Sequence, residues 1–142
     1  MFYGSKELVL DDKGRLVLPS NYRTEFVGNI VYAVYSFDGC LSLYPEAGYQ
    51  AIAKDITGLS DFDPKARQVK RIFLANTFRI ELDSHGRILL PKPLLEKTKT
   101  GKNIIILGVY NKLEVWNTET YQKSLAEEEK NYSRDAQELI GK

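Results

Sequence analysis

A ten-residue stretch occurs twice in this chain, and that repetition constrains the fold more than any other feature. Leu10-Asp11-Asp12-Lys13-Gly14-Arg15-Leu16-Val17-Leu18-Pro19 is followed 72 residues later by Leu82-Asp83-Ser84-His85-Gly86-Arg87-Ile88-Leu89-Leu90-Pro91. Six of the ten aligned positions are identical, Gly and Pro among them. The same ungapped offset aligns Leu41-Ser42-Leu43-Tyr44 with Leu113-Glu114-Val115-Trp116, and Gly39 with Asn111, two residue types that tolerate left-handed turn geometry. Two copies of so long a unit point to a pseudo-symmetric pair, not to a solenoid.

Each copy reads as strand, turn, strand, short helix, strand, turn, strand, longer helix. In the first turn Asp11 can accept a backbone N–H two residues on, and Gly14 supplies positive φ. The spacing predicts strands over 6–10, 15–18, 30–37 and 41–44, with a hairpin at Asp38-Gly39. Arg15–Leu18 is expected to return from the turn, and Pro19-Ser20 to open a short helix through Phe26. Tyr49, Ile52, Ala53 and Ile56 fall on one face of a helix that begins at Pro45-Glu46 and ends at Gly58. Asp63-Pro64 is an N-cap followed by proline, opening a helix with a buried stripe of Ala66, Val69, Ile72 and Phe73. The second copy predicts strands over 78–82, 87–90, 104–109 and 113–116, with a helix from Pro91. A terminal helix from about Thr118 has a thin stripe of Tyr121, Leu125, Tyr132, Ala136 and Leu139. No low-complexity linker separates the copies, so the expected architecture is one α+β unit of two intertwined repeats. Its expected division is 1–60 and 61–142, with 57–63 as the main internal loop.

Composition narrows the function. Lys and Arg total 20 against 19 Asp and Glu, so nucleic-acid binding would have to rely on local patches and not on bulk charge. One cysteine excludes an intrachain disulfide, and one cysteine with one histidine cannot form a structural zinc site within the chain. No metal or cofactor is called for. No apolar run reaches the roughly 18 residues of a membrane span, and the first residues lack the apolar core of a signal peptide. A reducing, intracellular compartment is the expectation.

Strand pairing accounts for Asp and Gly at such a turn but not for Arg immediately after Gly. Arg15 and Arg87 would present planar donor forks at a defined height, suited to a ligand that itself repeats. Duplex DNA is such a ligand, offering phosphates and guanine edges to a ribbon that fits the major groove. In the plainer reading, Arg15 and Arg87 form salt bridges with Asp11 and Asp83 and lock the turns; the two readings are compatible. Each turn sums to zero charge, so binding strength would come from turns presented together and from nearby Lys6, Arg23, Lys92, Lys97, Lys99 and Lys102.

These residues carry a resemblance. The two turns are similar to the paired DxxGR signatures of the bacterial MraZ family. Met1-Phe2-x-Gly4, Gly39-Cys40-Leu41-x-Leu43-Tyr44-Pro45, Arg67-x-x-x-Arg71 and Asn111-Lys112-Leu113-Glu114-Val115-Trp116 also match its pattern. The resemblance implies tandem pseudo-symmetric swapped-hairpin, AbrB/SpoVT-like β-barrel repeats flanked by helices. It implies a ring-shaped homo-oligomer and a transcription factor that is cytoplasmic and nucleoid-associated. The implied target is double-stranded DNA, as short direct repeats in the chain's own promoter at the head of the division and cell-wall gene cluster. DNA contact maps onto Arg15 and Arg87, helped by Lys13, Gly14, Gly86 and His85, with Asp11 and Asp83 structuring the turns. In the helix after each hairpin, Arg23 matches the family pattern and Leu95 departs from it.

Rival classes are weaker. Asp11 and Asp83 resemble an aspartic-protease pair only loosely, because glycine follows three residues after Asp, as a hairpin demands. Nothing orients Cys40 toward His85 as a thiol–imidazole pair, and a small core residue is the expected role of Cys40. No catalytic site and no small-molecule substrate are therefore expected. An antitoxin-like interaction module of the same fold is the alternative, with the acidic Glu127–Glu129 segment as its partner surface. Arg67 and Arg71 are expected to pair with acids of a neighbouring subunit, and Tyr44 and Trp116 to lie in the core.

Overall fold

Apolar side chains at alternate positions, such as Leu41 and Leu43 or Leu113 and Val115, place one face of a sheet against a core. A computed structural model, describing residues 1–141, has that arrangement. The elements run β1 (Ser5–Val9), β2 (Arg15–Val17), α1 (Ser20–Arg23), β3 (Ile30–Tyr35), β4 (Leu41–Tyr44), α2 (Glu46–Thr57) and α3 (Pro64–Ala75). There follow β5 (Thr77–Glu81), β6 (Arg87–Leu89), α4 (Lys92–Thr98), β7 (Asn103–Gly108), β8 (Leu113–Asn117), α5 (Thr118–Glu129) and α6 (Tyr132–Ile140). The class is α+β with antiparallel sheets.

Six strands form one sheet in the order β1-β7-β8-β4-β3-β5, and β2 pairs with β6 in a separate ribbon. Exchanging the two copies (β1 for β5, β3 for β7, β4 for β8) reverses the sheet order and so restores it. A pseudo-twofold axis therefore passes between β4 and β8, where Ser42 faces Glu114, and through the ribbon, where Leu16 faces Ile88. The two copies are knitted together: β1 pairs with β7, and β5 with β3.

This corrects the expectation that the strand after the Asp11–Gly14 turn returns to β1. Each strand leaving a turn pairs with its counterpart from the other copy. Leu18 N–H donates to Gly86 O and Leu90 N–H to Gly14 O, both near 3 Å, which extends the ribbon to both turns. The physical reason is burial. Leu16, Leu18, Ile88 and Leu90 are all at most 2% exposed, and the ribbon presses them onto the sheet beside Val31, Ala33, Leu41, Leu43, Ile104, Ile106, Leu113 and Val115. Fully burying a side chain of that size contributes about 1.5–3 kcal/mol. The opposite face of the sheet is covered at β3 and β4 by α2 and α3 through Val34, Tyr44, Tyr49, Ile56 and Phe73. Tyr32 and Tyr49 stack with ring centroids 4.1 Å apart.

Other expectations need adjustment. The main sheet is open, ending in β1 and β5, and no closed barrel occurs among the described residues. The offset of 72 slips to 73 between β3 and β7, because the turn Ser36–Cys40 is one residue longer than Val109–Lys112. The left-handed residue of the second turn is accordingly Tyr110, at φ +64°, and not Asn111. The helix after Pro19 ends at Arg23 and does not reach Phe26. On α3, Ala66 and Phe73 are buried while Val69 and Ile72 are exposed. The C-terminal stretch is two helices, broken at Lys130-Asn131. Tyr44 is in the core, whereas Trp116 is half-buried and donates to Glu114 Oε1 at 3.0 Å. No helix among the described residues is long and apolar enough to cross a membrane.

Candidate nucleic-acid interface

The two turns are built identically. Asp11 Oδ1 accepts from Lys13 N–H at 2.9 Å and Arg15 N–H at 2.8 Å, and its Oδ2 accepts from Arg15 Nε at 2.5 Å. Asp83 repeats this with His85 N–H at 2.8 Å and with Arg87 N–H and Nε, both at 2.9 Å. Gly14 and Gly86 close the turns at φ +83° and +74°, where a side chain is strained. The backbone N–H of Arg87, followed by its guanidinium and the N–H of His85, holds the Asp83 carboxyl down at about 2. The N–H of Arg15 lowers Asp11 in the same direction.

The salt-bridge reading of the arginines therefore holds, and it leaves them available. Only Nε of each guanidinium is engaged, and the Nη atoms make no hydrogen bond among the described residues. Arg15 and Arg87 side chains are 36% and 35% exposed. Strand alternation points them away from the core, since Leu16 and Ile88 between the outer residues point inward. On that outer face Arg15 lies opposite Leu89 and Val17 opposite Arg87, so two guanidinium groups sit diagonally across two exposed apolar side chains. Val17 and Leu89 were not singled out from the sequence, although period-two alternation puts them beside the arginines. Lys13 and His85 are exposed at the two turn tips, and His85 Nδ1 lies 3.3 Å from Ser84 Oγ.

Helices of the opposite copy pack against each turn. A Cβ at Gly14 would lie 3.1 Å from Leu95 Cδ1, whereas one at Gly86 would lie 2.5 Å from Cζ, Nε and Nη1 of Arg23. Arg23 Nε donates to Leu18 O at 2.9 Å. Lys92 and Lys102 line a hollow beside the first turn, together with Asp12 and Lys13.

The remaining candidates lie elsewhere. Asp11 and Asp83 each serve their own turn. Cys40 is buried, and burial pushes its thiol up to about 11, the opposite of an activated nucleophile. No cluster of three or more His, Cys, Asp or Glu side chains suited to a metal occurs among the described residues. Arg67 Nη1 donates to Asp61 O at 2.9 Å, so it has a partner within its own chain, and Arg71 is exposed.

Fold and site together define a class: a fused pair of strand–turn–strand repeats, locked through a central ribbon, with one preorganised arginine turn per copy. The sequence matches the family described as "MraZ protein, putative antitoxin-like" over residues 1–72 and again over 73–142. The chain belongs to the MraZ family. It is 38% identical over 125 residues to the transcriptional regulator MraZ of Alcanivorax borkumensis, covering 85% of this chain and 86% of that protein. The protein of the same name from Nitrosococcus oceani is 37% identical over 133 residues, covering 91% and 89%. That from Haemophilus influenzae is 36% identical over 132 residues, covering 90% and 87%. These relatives are named for regulating transcription and not for catalysis.

Proposed function

We propose that this chain is a sequence-specific DNA-binding regulator of transcription that grips a duplex with the outer face of the β2–β6 ribbon and its two flanking turns. The observation that carries this reading is the diagonal pair of outward guanidinium groups, Arg15 and Arg87, each fixed by a carboxylate through Nε and open at Nη. A ribbon of two strands fits a major groove about 12 Å wide, where a free guanidinium edge meets guanine O6 and N7 or a phosphate. Val17 and Leu89 offer apolar contact to thymine methyls between them. The names of the relatives support the same class. The proposed fold type is the swapped hairpin, with β2 and β6 exchanged between copies, and the proposed place of action is the nucleoid in the cytoplasm. The proposed target is a set of short direct repeats in the chain's own promoter, at the head of the division and cell-wall gene cluster.

Ring assembly belongs to the same proposal. Helix α3 carries Lys65, Arg67, Lys70 and Arg71 with no acid, beside exposed Phe37, Val69 and Ile72. Helices α5 and α6 carry six acids against two bases, and α6 leaves Tyr132, Leu139 and Ile140 exposed. Two different complementary faces favour a head-to-tail contact, which closes into a ring when the rotation suits. Direct repeats recurring with the helical turn then engage successive subunits, and weak contacts add through effective concentration.

A mobility-shift titration on the DNA preceding the chain's own reading frame tests the reading. Arg15→Ala and Arg87→Ala should each lose roughly 1–3 kcal/mol of binding per engaged turn. Affinity should also fall steeply with added salt. Unchanged binding by both variants would overturn it.

A further inference from the structure

We propose that the two turns of one chain do different work on the duplex: the second, capped by Arg23, reads base edges, and the first, flanked by Lys92 and Lys102, holds the backbone. This rests on the DNA-binding reading above and goes beyond it, because the repeat alone would make the turns equivalent.

The difference lies in what the opposite copy supplies to each turn. Leu95 covers the first turn, and its counterpart covering the second is Arg23, whose guanidinium lies against the Cα of the buried Gly86. Arg23 is fixed there. Leu18 on the ribbon donates its N–H to Gly86 O and accepts Arg23 Nε at its own carbonyl, so ribbon, turn and guanidinium form one rigid unit. Arg23 has no carboxylate partner among the described residues, and its Nη edge carries uncompensated charge. Together with Arg87 the second turn has two planar forks held in place before any ligand arrives. A preorganised fork loses little side-chain freedom on meeting a bidentate acceptor, which is what selects one base over another.

The first turn has the opposite character. Leu95 donates nothing, and the added cations are Lys92 and Lys102 on the rim of the hollow that includes Asp12 and Lys13. The counterparts of these lysines at the second turn are Ser20 and Asn29. The second correspondence is fixed by matching hydrogen bonds, Leu10 N–H to Lys102 O at 2.9 Å and Leu82 N–H to Asn29 O at 2.8 Å. Both lysines are exposed and form no ion pair among the described residues. Ammonium groups on flexible stems attract phosphates from any sequence, giving affinity without selectivity.

The test is fluorescence anisotropy of the full chain on two duplexes: one enriched by the wild-type protein from a random pool, and a scramble of the same length and composition. Arg23→Leu, which copies the first turn, should weaken binding to the enriched duplex about 5- to 150-fold while leaving the scramble within about 3-fold. Lys92→Ser with Lys102→Asn, which copies the second turn, should weaken both duplexes by similar factors. It should also flatten the slope of log affinity against log salt by roughly two. Arg23→Gln keeps a polar side chain without the charged fork and should behave as Arg23→Leu, which separates lost recognition from a packing defect. Equal weakening of both duplexes by Arg23→Leu, with the wild-type preference intact, would overturn the division of labour alone. A wild-type protein that enriches no duplex would remove the DNA-recognition reading itself.

Discussion

Replacing Gly86 with alanine probes the seat of Arg23 directly. At φ +74° a Cβ costs about 1–2 kcal/mol, and Gly14 at φ +83° carries the same cost, so the backbone contribution cancels between the two sites. Space does not cancel. A methyl at position 14 meets Leu95 Cδ1 at 3.1 Å, the end of a flexible side chain that can give by a few tenths of an ångström. A methyl at position 86 lies 2.5 Å from three guanidinium atoms, which must leave and give up the 2.9 Å bond from Nε to Leu18 O. A hydrogen bond from a charged donor contributes about 1.5–3 kcal/mol, toward the lower end for a partly exposed group. Gly14→Ala should therefore cost about 1–2 kcal/mol and Gly86→Ala about 2–4 kcal/mol. Urea unfolding at one fixed protomer concentration measures both. Combining Gly86→Ala with Arg23→Ala should remove the excess, a coupling of about 1–2 kcal/mol in a double-mutant cycle. Equal losses at the two glycines, with strict additivity in the double variant, would refute the steric argument.

Three further outcomes are expected. Asp83 is depressed to about 2 by the N–H of Arg87 and Asp11 is lowered likewise, so the stability they add is complete above about pH 4 and is lost as pH falls through their folded values. Urea midpoints measured from pH 5 to 2 should fall, and Asp83→Asn should flatten that fall while lowering the midpoint at neutral pH. Cys40 should react with a thiol reagent at pH 8 only as fast as the chain opens, because its thiol is buried and pushed up to about 11; prompt labelling of the native protein would contradict its placement. Leu16→Ala and Ile88→Ala face each other on the pseudo-axis and should each cost about 2–5 kcal/mol by urea unfolding; a much smaller loss in either would mean the ribbon does not seal the core.

Much of this was legible because local chemistry decided it. The Asp-x-x-Gly-Arg spacing specifies the turn and its Asp–Arg closure, Asp63-Pro64 specifies the start of α3, and alternation specifies which strand residues face inward. Pairing partners were not legible, because hydrophobic alternation says which face is buried and not which strand lies alongside. The slip of register before β7 was hidden by two compensating one-residue changes, which leave the offset intact on either side. Val69 and Ile72 fit a helical stripe but remain exposed, since α3 buries only the edge that meets α2 and the sheet. Within the site, the sequence marked Arg23 as a nearby cation but not which turn it serves; it lies six residues past its own ribbon strand end and packs on the turn of the other copy. Only the exchange of strands between copies brings it there.

The pairing of β1 with β7 also dictates when folding can begin during synthesis. Ser5 pairs with Leu107 and Val9 with Asn103, so β1 has no partner until about 100 further residues have been translated. At about 5–20 residues per second that wait is on the order of 5–20 s. Throughout it Leu16 and Leu18 have no β6 to seal them, which makes the nascent first copy a substrate for chaperones that shield apolar segments. Joining of the two copies therefore waits on synthesis of the second, and codon changes that slow elongation through it should lengthen the vulnerable interval without altering the native molecule.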